Sequence, residues 1–257
     1  MKISQKMVLF LMGLSALSFQ ANAGQALENI EKSKVEVPVY GVFAPEFGFD
    51  DNDDVQLVVD GYLPNSCYQK TKTQVTVNRE TQQILVQQYA NKDESDVCKN
   101  EDTLPSEMKV PLSFMSEVEV GELSEGKYTV QFNTLQGVKE RQLNIEKAKT
   151  RNIDNTDYVI TSNVFVKSVV SANEPEFDVN LTGYLSPCAG ISNKLNGAIV
   201  NDVIILLPEV IKSGGVCLPV AQDFTLDVKL KTPPAGRYLL HIRSVNGTAV
   251  NRLFTVK

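Results

Sequence analysis

Apolar residues recur at every second position in short runs along the chain, and one such run occurs twice. Val55, Leu57, Val59, Gly61 and Leu63 form the first series; Phe177, Val179, Leu181, Gly183 and Leu185 form the second. A period of two marks a strand that buries one face. Both runs end on Gly-Tyr-Leu, and a cysteine follows each, Cys67 and Cys188. Two further landmarks repeat in the same order. Val97-Cys98 corresponds to Val216-Cys217, and Gly126-Lys127-Tyr128 corresponds to Gly236-Arg237-Tyr238. The chain is an internal duplication.

The pattern predicts strands near 37–43, 54–63, 73–78, 83–89, 108–112, 116–121, 126–133 and 138–145 in the first copy. In the second it predicts strands near 163–170, 176–185, 198–200, 202–207, 224–230, 237–243 and 249–256. Asn78 to Thr81 and Asn246-Gly247 are expected hairpin turns. Helical periodicity is confined to the N-terminal segment and one turn near 25–34. The polar stretch Glu146 to Asp157 separates the copies. The expected fold is all-β: two tandem β-sandwich domains, 36–147 and 158–257, each with turn signals at the spacing of an immunoglobulin-like sandwich.

The N-terminus sets the compartment. Lys2 and Lys6 precede the apolar run Met7–Leu17, and Ala21-Asn22-Ala23 follows it. That is the layout of a secretory signal peptide spanning residues 1–23. The run is about half as long as a bilayer's hydrocarbon core requires, which argues against a membrane anchor. The mature chain is expected in a periplasm or outside the cell, with no membrane insertion. Losing Lys2 and Lys6 takes the net charge from −6 to −8. With no basic cluster, nucleic acid is not an expected partner.

In an oxidising compartment, an even cysteine count with two in each copy implies Cys67–Cys98 and Cys188–Cys217. Closing loops of about 30 residues contributes roughly 3–4 kcal/mol each in the loop-entropy model. A metal site would need histidines or closely spaced cysteine pairs instead.

With these residues in place, the two halves resemble tandem Ig-like domains of exported bacterial cell-envelope proteins. The resemblance covers nearly all of the mature chain. It departs from antibody domains in having no tryptophan and in placing each cysteine after a Gly-Tyr-Leu strand end. It implies a binding module or a spacer.

Candidate chemistry is sparse. The one histidine, His241, alternates with Tyr238, Leu240 and Ile242, so it is expected on the outward, exposed face of its strand, level with Gln131 of the first copy. No nucleophile motif accompanies it, and no cofactor is implied. The run Asp50, Asp51, Asn52, Asp53, Asp54 is a weak calcium candidate, because clustered aspartates supply oxygen ligands. It lacks the glycine and glutamate of a calcium loop, and a solvated turn is the plainer expectation.

The second copy departs from the first at Val203–Leu207, where five apolar residues are consecutive. A strand with one buried face alternates, so this run needs cover on its other side. The surface around Ile204, Leu206, Val210 and Ile211 is the expected contact with a partner or with the first domain. The sequence thus suggests a non-enzymatic adaptor or regulatory module that binds another envelope or secreted protein, for instance in a surface assembly such as a pilus. The alternative is a sugar-binding protein or hydrolase built on sandwich loops.

Overall fold

The computed structural model describes residues 32–257 apart from 48, 193–194 and 213–219. The expected signal peptide lies outside the described residues. Lys32–Glu36 is a strand, β1, where the sequence suggested the end of a helical turn.

The first half continues with β2 (Val39–Phe43), β3 (Asp54–Leu63), β4 (Tyr68–Lys70), β5 (Gln74–Asn78), β6 (Gln83–Gln87) and β7 (Tyr89–Asp93). The short helix α1 (Asp96–Lys99) precedes β8 (Leu112–Glu122), β9 (Gly126–Thr134) and β10 (Gly137–Ile145). The second half holds β11 (Ile160–Val166), β12 (Val169–Val170), β13 (Glu176–Leu185), β14 (Ala189–Ile191) and β15 (Asn196–Val200). It ends with β16 (Val203–Leu207), β17 (Val210–Lys212), β18 (Gln222–Lys231), β19 (Gly236–Arg243) and β20 (Ala249–Val256).

The duplication is visible in the pairing. A three-stranded antiparallel sheet, β2-β3-β8 or β11-β13-β18, packs on a second sheet, β10-β9-β6-β5 or β12-β20-β19-β16-β15. In lobe 1 the core lies between Val55, Leu57, Val59 and Ile84, Val86, Tyr128, Val130, Phe132. In lobe 2 it lies between Phe177, Val179, Leu181 and Ile204, Leu206, Leu240, Ile242, Phe254. The side sheets β1-β7-β4 and β14-β17 complete the lobes.

Three pairings depart from the expected immunoglobulin pattern, whose sheets are antiparallel. Here β12 runs parallel to β20, and at the sheet centres β6 runs parallel to β9 and β16 to β19. Each hairpin, β5–β6 and β15–β16, presents its second strand to the sheet centre, which forces the parallel contact.

The repeated Gly-Tyr-Leu has a shared cause. A Cβ on Gly61 would lie 2.6 Å from Cζ of Phe114, and one on Gly183 would lie 2.0 Å from the Ile160 carbonyl oxygen and 2.9 Å from the Phe224 ring. Gly61 pairs with Phe114 and Gly183 with Phe224 at the same register. Each glycine makes room for an aromatic ring from the neighbouring strand.

Cys67 and Cys98 form a disulfide that fastens α1 to the end of the GYL segment. Leu104 packs against it. Cys188 is also disulfide-bonded; Cys217, its expected partner, lies outside the described residues. Among the described residues, no helix is long and apolar enough to cross a membrane.

Candidate functional site

The lobes form one compact unit, and the cause lies at positions that break the strand alternation. Val58 interrupts the inward series of β3; Val203, Ile205 and Leu207 interrupt that of β16; Leu239 interrupts that of β19. All five are buried, and they meet one another with Phe43 and Tyr158 in a cluster separate from either lobe's own core. An apolar side chain moved from water into such a contact contributes about 1.5–3 kcal/mol. Docking is therefore driven by the residues that would otherwise face solvent.

Three arginines, each bound to aspartate, frame this apolar patch. Arg141 of lobe 1 grips both carboxylate oxygens of Asp202 and lies over the Phe43 ring. Arg237 of lobe 2 donates from Nε to Asp60 at 2.9 Å. Arg243 of lobe 2 donates to Asp53 and, at 2.8 Å, to Asp154. The Arg243 guanidinium also stacks 4.4 Å from the Phe49 ring centre, with no exposed side-chain surface. Burial works against its charge, but Asp53 and Asp154 outweigh that and hold its pKa above the ordinary arginine value. Burial raises the Asp53 carboxyl despite its arginine partner.

The linker is part of this joint rather than a tether. Asp154 accepts from the Asn246 and Gly247 amides as well as from Arg243. Asn155 donates to Asp50, and Asn52 donates to the carbonyls of Thr150 and Asn152.

The candidates drawn from sequence are redistributed accordingly. His241 does point away from its own lobe's core, but lobe 1 covers it. It is 0% exposed rather than an exposed strand residue. Asn251 donates its amide to Glu117 and so accepts from His241 through its oxygen, at 2.7 Å from Nδ1. Burial lowers the histidine pKa to about 4, which keeps the ring neutral at physiological pH.

The acidic run is not a solvated turn. Asp53 and Asp50 are buried, Asp53 is bound by Arg243, and Asp51 accepts from the Ala148 amide. Among the described residues no group of three or more acidic, histidine or cysteine side chains is arranged to hold a metal ion. Asp54 only begins β3, on an exposed position.

Ile204 and Leu206 are corrected most directly: both lie inside lobe 2's own core. Their outward neighbours Val203, Ile205 and Leu207 make the contact instead. Val210 packs half-buried against the lobe 2 core, and Ile211 stays exposed. The clue to the true contact was available in adjacent apolar pairs: Leu57-Val58-Val59 and Leu239-Leu240 break alternation just as Val203–Leu207 does.

Beside the joint the lobes leave an open groove of about 720 Å³. Ser113, Phe114 and Met115 of lobe 1 form one wall, and Phe165 to Val169 with Arg252 form the other. The Asp60–Arg237 pair lies between them. Phe165, Val169 and Met115 are 60%, 50% and 37% exposed. A smaller depression beneath the Asn246 turn contains Asp154 and Asp157. The first is held by Arg243, and the second stands 3.7 Å from Lys212. The chain matches no protein-family model, no curated protein and no solved structure.

Proposed function

We propose that this chain is an exported, non-catalytic protein-binding module of the cell envelope, acting as an adaptor or regulator, with Ig-like lobes locked into one body. The observation that carries this reading is the destination of the polar residues. His241, Asp53 and Arg243, the groups best suited to chemistry, are buried in the joint that fixes the lobes together, with Asp154 part-buried beside them. The groove that joint creates presents apolar side chains and cations, as a surface for recognition does. The Cys67–Cys98 bridge supports an oxidising compartment.

The sugar-binding or hydrolase alternative would draw support from convergent carboxylates in a cleft. In the groove the one acidic side chain is Asp60, and Arg237 holds it. The test is capture from envelope extract with the mature chain as bait. Specific proteins should be retained by the intact chain and lost when Ile205→Asp separates the lobes. Retention of no protein, together with turnover of a glycoside, would replace the proposal with the enzyme reading.

A further inference from the structure

We infer that the interlobe groove is a docking site for an extended, acidic protein segment that carries apolar side chains. The inference rests on the binding-module reading and adds the chemistry of the partner.

Its charge is opposite to that of the chain. The protein carries a net charge of −6, yet the groove is lined by Lys167, Arg237 and Arg252 against Asp60 alone. Arg237 already holds Asp60. Lys167 and Arg252 have no acidic partner among the described residues. The cationic cleft attracts acidic ligands, whereas the like net charges of two whole copies of this anionic chain repel one another.

The apolar lining calls for more than charge. Phe165, Val169 and Met115 are exposed around one concavity whose volume lies in the range of ligand sites. An inorganic anion would leave them in water, whereas a segment alternating acidic and apolar residues would cover them.

The backbone favours an extended occupant. β8 on one wall and β11 and β12 on the other are each the outermost strand of their sheets. Outermost strands offer unpaired backbone groups to an added strand, and alternate side chains of that strand fall on alternate faces.

The probe is a labelled short peptide alternating glutamate and valine, titrated into the mature chain and followed by fluorescence polarisation. Amide resonances locate the contact. The peptide should bind with shifts at residues 113–115 and 165–169, more weakly at high salt. Affinity should fall at least about tenfold in Lys167→Glu/Arg252→Glu, and Phe165→Ser should weaken it independently of salt. A lysine–valine peptide should not bind. Glutamate–valine binding that maps elsewhere, or that survives the charge reversal, overturns the inference. So does binding of phosphatidylglycerol vesicles without the peptide, which would assign the groove to a lipid surface. If the charge-reversed chain still captures the same envelope proteins as the unsubstituted chain, the binding module stands and the groove is the wrong site. If the unsubstituted chain captures none, the module reading fails and the inference goes with it.

Discussion

The outward faces of two equivalent sheets differ at six positions, and the difference explains the joint. Ile84 pairs with Val130 in lobe 1 as Ile204 pairs with Leu240 in lobe 2. Gln83, Leu85, Gln87, Thr129, Gln131 and Asn133 therefore occupy the places of Val203, Ile205, Leu207, Leu239, His241 and Arg243. The lobe 1 set faces solvent, where Gln131 bonds Glu140 and Gln142 bonds Thr129. The lobe 2 set lies under lobe 1. The receiving surface differs too. Val58 and Asp60 of β3 take part in the joint, whereas their counterparts on β13 are Asn180, which bonds Asp227, and Thr182. One scaffold thus serves as two partners because inward positions stay apolar while outward ones diverge.

The largest effect should come from the buried charge. Arg243→Met leaves Asp53 without its partner and should cost about 3–5 kcal/mol in urea unfolding. Asn133→Met, at the equivalent place in lobe 1, should change stability by no more than about 0.5 kcal/mol. Comparable losses at both positions would break the comparison.

Next is the apolar contact. Ile205→Ala should cost about 2–5 kcal/mol through lost burial and the cavity it leaves, against about 0.5 kcal/mol for Leu85→Ala on the exposed face.

His241 predicts a pH dependence. Its pKa is about 4 when folded, against an ordinary 6.5. Between those values the unfolded chain takes up the extra proton, so stability falls as pH drops through that window, by about 3 kcal/mol in total. In His241→Gln this slope should flatten, as followed by chemical denaturation at stepped pH. Gln131→His should introduce a histidine titrating close to its ordinary value, seen by NMR. The smallest change is expected at the exposed Lys212–Asp157 pair, where Lys212→Ala should leave the urea midpoint unchanged.

Much of the strand pattern was legible because inward alternation is local. Strands 54–63, 176–185 and 249–256 were expected at their observed bounds. A strand at 108–112 was expected, but Met108 closes a tight helical turn and the chain becomes a strand only at Leu112. From there β8 runs on through residues 113–115, where the sequence suggested an interruption before a strand at 116–121. The expected strand 83–89 divides at Gln88, whose buried amide donates to the Thr71 and Tyr89 carbonyls.

The joint was less legible because docking is a relation between distant segments. Consecutive apolar residues at Val203–Leu207 announced that both faces of that strand needed cover. Which face belonged to its own core depended on the register with β19. His241 was placed on the correct side of its strand, but alternation is silent about what lies beyond that side. Asp53 and Arg243 each resemble an ordinary surface charge until the fold brings them together.

Scanning calorimetry of the protein tests the locked joint most directly. The account predicts one cooperative transition with equal calorimetric and van't Hoff enthalpies, split into two when Val58→Asp places a charge in the contact. Two transitions in the unsubstituted protein, left unchanged by Val58→Asp, would contradict it.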